Sequence, residues 1–343
     1  PNPATLTILD NDGSASSGHT FYQYDKLGNL LSKTGVGSYS YGANGNGTGA
    51  GPHQARSVGG QTYQYDANGN LLSGGGRSYT WDHENRPTQI ISNTVTENYT
   101  YDGDGERISR ASGGTTTIYL GGLWEETTAG VITSYYSFNG ATIAQRTSSG
   151  VTFLHGDHLG SVSMASGAGG ASAGTQAFDA WGQISSGGIS ASSLNYTGQR
   201  RDSGTGLLYY HTRYHDPVLA RFVSADTMTP DPSNPQDLNR YAYVHDNPIR
   251  YIDPTGHCLG WLWNDASCRP IWQTGAPPSY GDALDVVQTG LDVVGMVPAV
   301  GEAADLAMPA SRPQEATRPV RRSRYHMAVG IQGMGIDRLQ LER

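Results

Sequence analysis

Aromatic and polar residues alternate along the first third of the chain in short bursts. Each burst is broken by an Asp and a Gly before aliphatic residues resume the pattern. Tyr22-Gln-Tyr24-Asp25-Lys-Leu-Gly28-Asn29-Leu30-Leu31-Ser32 recurs as Tyr63-Gln-Tyr65-Asp66-Ala-Asn-Gly69-Asn70-Leu71-Leu72-Ser73. Looser copies are Tyr79-Thr-Trp81-Asp82-His-Glu-Asn85-Arg86 and Tyr99-Thr-Tyr101-Asp102-Gly-Asp-Gly105-Glu106-Arg107-Ile108-Ser109. A period of two puts the paired aromatics on one face of an incoming strand. Asp opens a turn, Gly supplies the positive φ that closes it, and Leu or Ile begins the returning strand. Each unit is therefore expected to be one β-hairpin. A lone hairpin cannot bury its aromatic face, so the copies must stack into a common sheet or solenoid. The wide gap between the copies starting at 22 and 63 spans about two periods, and a degraded copy is expected over Gly35–Gly60.

The all-β pattern continues, more divergent, through residues 119–205, with Tyr119-Leu-Gly-Gly-Leu-Trp124-Glu125, Tyr135-Tyr136-Ser-Phe138 and Thr152-Phe153-Leu-His155-Gly-Asp157-His158 as its clearest strands and turns. Between Ser163 and Thr175 the composition falls to Ala, Gly and Ser, which reads as an exposed loop. Residues 206–257 hold three hairpin-like pieces. Tyr209, Tyr210 and Tyr214 precede the Asp216-Pro217 turn, Arg221-Phe222-Val223-Ser224-Ala225-Asp226 follows, and Asn239-Arg-Tyr241-Ala-Tyr243 leads to Asn247-Pro248 and Asp253-Pro254-Thr-Gly256. Each aromatic run is expected to be a short strand and each Asp/Asn-Pro a turn. Residues 258–281 read as a linker. In residues 282–308, Leu284, Val287, Leu291 and Val294 recur at helical spacing before Pro298, which predicts two short amphipathic helices. Residues 309–343 show no pattern and are expected to be disordered.

Composition sharpens the fold class. There are 47 Gly and 21 Tyr against 5 Phe and 15% charged residues, which favours many short strands joined by polar turns over a helical enzyme. A net charge of −8 gives the main body no bulk attraction to nucleic acid. The charge is uneven, because residues 311–343 carry seven Arg against three acids. Such a tail is ordinarily a solvated end. Cys258 and Cys268 alone do not define a disulfide framework. The chain opens Pro1-Asn-Pro3, shows no signal peptide or membrane-length apolar run, and reads as a piece of a longer protein.

The order of landmarks from Gly206 to Gly256, GLLYYHTRYHDPVLARFVSADTMTPDPSNPQDLNRYAYVHDNPIRYIDPTG, resembles the Rhs repeat-associated core, and the Tyr-Asp units resemble the YD repeat. The sequence departs from the family pattern at Ala220, where Gly usually precedes Arg-Phe, at Thr227, where Pro usually follows the Asp, and at His257, where Leu usually follows the last Gly. The resemblance implies YD repeats over 1–118, a divergent Rhs region over 119–205, the core over 206–257 and a helical pre-toxin-like segment over 282–308. Together they would form an all-β solenoid or hollow shell with a short helical tail. It also implies that the core is an aspartyl autoprotease, with Asp226 and Asp253 as its acids, Arg221 as a supporting charge and the bond between His257 and Cys258 as the one cut. Such chemistry needs two carboxylates close enough to share a proton, one to accept it from water and one to give it to the leaving amide. The plainer reading is that both acids only cap their turns. Arg221, likewise, could be a packed strand arginine.

Other constellations are thinner. His155-Gly-Asp157-His158 lacks the further ligands a metal site needs, and a hydrogen-bonded turn fits it better. His211, His215 and His245 flank the core without a nucleophile signature, and Cys258 beside His257 is the one alternative nucleophile. No cofactor or metal is expected. Three functions are open. The first is the shell of a polymorphic toxin that holds and delivers a C-terminal effector, expected to be missing here. Its partners would be the upstream repeats, that effector, a secretion-system spike and an immunity protein, and it would be secreted or surface-borne. The second is a surface module whose exposed Tyr and Trp stack on glycans. The third, a trans-acting enzyme in residues 282–343, is weakest, since His326 is the only His there.

Overall fold

The computed structural model describes residues 4–8, 20–42, 51–93, 95–229, 237–257 and 269–270. Within these the chain is nearly all β, and antiparallel strands follow one another in sequence order. Six strands from Ala4–Ile8 to Gln61–Thr62 form one sheet, and fourteen from Gln64–Tyr65 to Ile184–Gly187 form a second. Neighbours in each sheet are neighbours in the chain, so both are meanders. The long sheet runs unbroken through Thr115–Leu120 and Trp124–Thr127, where the repeats give way to the divergent region. A third sheet joins Arg200–Arg201, Leu208–Tyr210, Arg213–Asp216 and Arg221–Phe222.

The Tyr-Asp signature is a turn device. Asp25 Oδ1 accepts the amides of Leu27 and Asn29 at 2.8 and 2.9 Å, and the Asp25 amide donates to the Asn29 carbonyl at 2.9 Å. The same closure forms at Asp66, Asp82 and Asp102. It forms again at Asp157 and Asp179, beyond the four copies recognised by their tyrosines. Asp-x-x-Gly, shared by Asp157-His-Leu-Gly160 and Asp179-Ala-Trp-Gly182, is the signal that finds them. Asp157 Oδ1 is thus committed to turn amides, and His155 Nε2 lies 2.8 Å from Ser166 Oγ. Among the described residues, no group of three or more His, Cys, Asp or Glu is arranged to hold a metal.

The repeat tyrosines face inward. Tyr22, Tyr63, Tyr65, Tyr79 and Tyr99 are all buried. They pack on the later chain as well as on each other: Tyr65 against Tyr241 at 5.8 Å, Tyr99 against Tyr214 at 5.4 Å and Tyr22 against Trp181 at 6.3 Å between ring centroids. Polar contacts follow the same route. The Leu71 amide donates to the Val223 carbonyl, Tyr241 donates its hydroxyl to the Gly69 carbonyl, and Arg77 pairs with Asp216 at 2.7 Å. The buried Lys33 ammonium pairs with Asp179 at 2.8 Å and donates to the Pro217 carbonyl at 2.7 Å. These buried charges each have a counter-charge, as burial demands.

Two sequence expectations change. Residues 163–175 are not a loop, because Val162–Gly167 pairs with Ser172–Phe178 around a turn. Strands on either side supply the ladder, and Ala165 fills a fully buried position where a methyl suffices. Asn239–Tyr243 is not a strand but a run of turns. Its rings bury on different neighbours, Tyr241 on Tyr65 and Tyr243 on His215, and its carbonyls serve Phe222 and Asp226. The expected linker (apart from Arg269–Pro270), the helical segment 282–308 and the basic tail lie outside the described residues.

Gly69 and Gly105 occupy the same turn position with φ of +92° and +91°, so Ala strains both alike. At Gly69, however, a Cβ would lie 2.5 Å from the Tyr241 hydroxyl, whereas at Gly105 the nearest atom is 3.5 Å away. Gly69→Ala is therefore expected to lose about 1–3 kcal/mol more stability than Gly105→Ala. Urea denaturation of the two variants checks this, and equal losses would mean the core does not press on the repeat turn.

Candidate functional site

Asp226 and Asp253 converge on one guanidinium, that of Arg213. Arg213 lies in the Arg213–Asp216 strand, all four residues of which are buried. Its Nη2 is 2.8 Å from Asp226 Oδ2 and 3.7 Å from Asp253 Oδ2. Its Nη1 donates to the Arg240 carbonyl at 3.0 Å and its Nε donates to the Gly256 carbonyl. The guanidinium covers the Phe222 ring, 3.6 Å from its centroid. A planar fork with five donors can serve two acids and two carbonyls at once, which an ammonium could not.

The backbone places each acid. Asp226 follows the Arg221–Phe222 strand, and its amide and carbonyl both bond to Arg240. Its Oδ1 accepts the Met228 amide at 3.0 Å and meets His257 Nδ1 at 2.8 Å. Asp253 opens the closing turn, its Oδ1 accepting the amides of Thr255 at 3.2 Å and Gly256 at 2.8 Å. Both acids therefore cap turns, as the plainer reading expected, and both also share Arg213. Asp253 Oδ2 is buried and makes no hydrogen bond.

The closing turn is seated on the tip of the Leu208–Tyr210 and Arg213–Asp216 hairpin. Thr212 donates its amide and its hydroxyl to the Thr255 carbonyl at 3.3 and 2.9 Å. Gly256 has φ +81°, and a Cβ there would lie 2.3 Å from the Tyr210 carbonyl oxygen. Only glycine lets the chain pass this close with that backbone. His257 comes next, with its ring turned back to Asp226.

The two carboxyls are pushed apart. Burial drives Asp253 up to about 6, although Arg213 and the turn amides pull the other way. Burial acts upward on Asp226 too, but Arg213, His257 and the Met228 amide outweigh it and hold that carboxyl below the usual range. Near pH 5 a proton shared by the pair thus belongs on the Asp253 side.

Arg221 lies elsewhere. Its Nη1 donates to the His53 carbonyl at 2.6 Å, and its guanidinium packs over the rings of Tyr41 and Tyr241. The acid it bears on is Asp246, which burial pushes up to about 7 against the pull of Arg221. The cation beside Asp226 is Arg213, which sequence reasoning missed. Its signal was an arginine opening an aromatic strand, Arg213-Tyr-His-Asp216, with no solvent face to hold it. The histidines separate as well. His215 is fully buried among Tyr210, Phe222 and Tyr243, burial lowers its pKa to about 3, and neither ring nitrogen is hydrogen-bonded. His211 pairs with Glu106 at 2.9 Å and His245 with Asp237 at 3.2 Å. Cys258 lies outside the described residues. A cavity of about 380 Å³ between Tyr119, Tyr135, Tyr209 and His211 adjoins the hairpin tip but contains neither acid of the pair.

The model of the Teneurin YD-shell family matches residues 11–249. The tRNA3(Ser)-specific nuclease WapA of Bacillus spizizenii is 30% identical over 280 residues, covering 76% of this chain and 10% of that protein. Toxin subunit YenC2 of Yersinia entomophaga is 44% identical over 71 residues, covering 20% of this chain and 7% of that one. The chain thus spans about a tenth of the length of the curated relatives it matches. The solved TcdB2-TccC3-TEV structure aligns at a TM-score of 0.46 and 20% identity, covering 70% of this chain and 15% of that one. With its repeated Tyr-Asp hairpins, its all-β sheets and a family match over most of its length, the chain belongs to the Teneurin YD-shell family and is an Rhs/YD-repeat protein.

Proposed function

We propose that this chain is the closing part of a toxin-type YD shell, and that its core cuts the chain after His257 to free the segment beginning at Cys258. The observation that carries the reading is the pair of buried carboxyls on one guanidinium, one pushed up by burial and the other held down by charge. Asp226, ionised, takes a proton from a water whose oxygen bonds to the His257 carbonyl carbon. Asp253, protonated, gives its proton to the Cys258 nitrogen as the carbon–nitrogen bond breaks. The products are a carboxyl on His257 and an amine on Cys258, with one water consumed. Arg213 Nε on the Gly256 carbonyl and Thr212 on the Thr255 carbonyl hold the segment against the pair, so the substrate is tethered and its entropy is already lost before reaction.

The relatives support the setting, since WapA is described as a tRNA nuclease and YenC2 as a toxin subunit. On this reading the shell encloses and delivers an effector. Its partners are upstream repeats, other toxin components, a secretion-system spike and an immunity protein, and it works outside the producing cell. Among the described residues no helix is long and apolar enough to cross a membrane. The glycan-binding alternative needs rows of outward aromatics, whereas Tyr22, Tyr63, Tyr65, Tyr79 and Tyr99 are buried and, among the described residues, the exposed rings Phe21, Tyr136, Phe138 and Phe153 include no Trp.

Intact mass spectrometry tests the reading. Wild-type chain at pH 5 is expected to give two fragments meeting after His257, and Asp226→Asn and Asp253→Asn are each expected to stay whole. Cutting by either variant, or a wild type and a His257→Leu variant that both stay whole, overturns it. The cleavage rate depends on protonated Asp253, with a carboxyl at about 6, so it should fall about tenfold per pH unit above that value. A rate that rises from pH 6 to 8 would point instead to a nucleophile such as Cys258.

A further inference from the structure

We infer that His257 throttles self-cleavage, its imidazole occupying the oxygen of Asp226 that would otherwise hold the attacking water. This rests on the self-cleavage reading and adds to it a brake carried by the segment that is cut. A carboxylate oxygen has two lone pairs, and those of Asp226 Oδ1 are taken by the Met228 amide at 3.0 Å and His257 Nδ1 at 2.8 Å. Asp226 Oδ2 faces Arg213 Nη2 at 2.8 Å and keeps one lone pair beside that guanidinium, so the imidazole closes Oδ1 and slows the carboxylate without silencing it. The acceptor is ionised, so Nδ1 carries the hydrogen and donates. Among these three donors only His257 can leave without unfolding the site, because its side chain is about a quarter exposed while Arg213 is 4% exposed and the Met228 amide is part of the turn.

The contact also weakens Asp226 as a base. Every donor to a carboxylate favours its ionised form and reduces its pull on a proton from water. The charged and titratable groups around the imidazole and its acceptor are Arg213 on the buried strand, Arg240 gripping the Asp226 main chain, and Asp253 with Tyr243 beside it. Removing the imidazole leaves Asp226 Oδ1 open to water and one donor poorer. His257 is thus a positioning residue, acting through Asp226 from the substrate side.

The test compares wild type, His257→Leu and His257→Asn by intact-mass time courses from pH 4 to 8. Asn places an amide donor where Nδ1 sits, so its rate should stay near that of wild type. Leu removes the donor and should cut about tenfold faster, with the acidic limb of its rate profile moved to higher pH as Asp226 becomes a stronger base. A wild type that stays whole while the Leu variant cuts supports the same conclusion. If wild type cuts and the Leu variant cuts no faster, the brake is refuted and self-cleavage stands. If none of the three cuts at any pH while all melt cooperatively, the self-cleavage reading and the brake fall together.

Discussion

A buried guanidinium must be met by acceptors on every side, and in this chain that requirement ties together the parts that matter. Arg213 has no solvent to turn to, so the fold supplies Asp226, Asp253, the Arg240 carbonyl and the Gly256 carbonyl. These come from the turn after the Arg221–Phe222 strand, from the Asn239–Tyr243 run and from the closing Asp-Pro turn. One cation therefore fixes the relative positions of three segments far apart in sequence. Loss of any one acceptor would leave a charge or a donor stranded, which is far costlier than loss of a surface contact.

The repeats pack on the core segment that carries this centre. Each hairpin turns on an Asp that spends its carboxylate on its own amides, which frees the following Gly or Asn to close the turn and aims the paired aromatics inward. The inward rings then meet the core segment, Tyr65 on Tyr241 and Tyr99 on Tyr214. Burial of this kind stabilises the sheets. At the acids, desolvation raises the Asp253 carboxyl, while charge from Arg213 holds Asp226 down. Two residues of one type are thus shifted in opposite directions by their surroundings.

Much of this was legible in the sequence, and the reason is local. Tyr-x-Tyr-Asp-x-x-Gly states strand, face and turn within seven residues, so the hairpins, their stacking into a common sheet and the all-β class follow from it. Asp226 and Asp253 were visible as the acids of the closing landmarks. Long-range pairing could not be read in the same way. Arg221 and Arg213 both open short aromatic strands, and nothing near either says which one meets Asp226. Ser163–Thr175 lacked strand formers, yet neighbouring strands pull it into the sheet. Asn239–Tyr243 had the alternation of a strand, but its rings go to different partners and its backbone cannot stay extended. The contact of His257 with Asp226 spans 31 residues and had no sequence signature.

Arg213 holds the core together, and on the proposed reading it also organises the pair of acids for cleavage. Arg213→Lys keeps the charge and loses the fork, so the ammonium cannot reach both acids and the Gly256 carbonyl at once. The decisive measurement is the intact mass of this variant over time, beside its cooperative thermal melt. The expected result is a folded chain that remains whole under conditions where wild type is cut after His257. A folded Arg213→Lys chain that is cut at the same bond and the same rate would mean that Arg213 serves the fold alone and has no part in the cleavage.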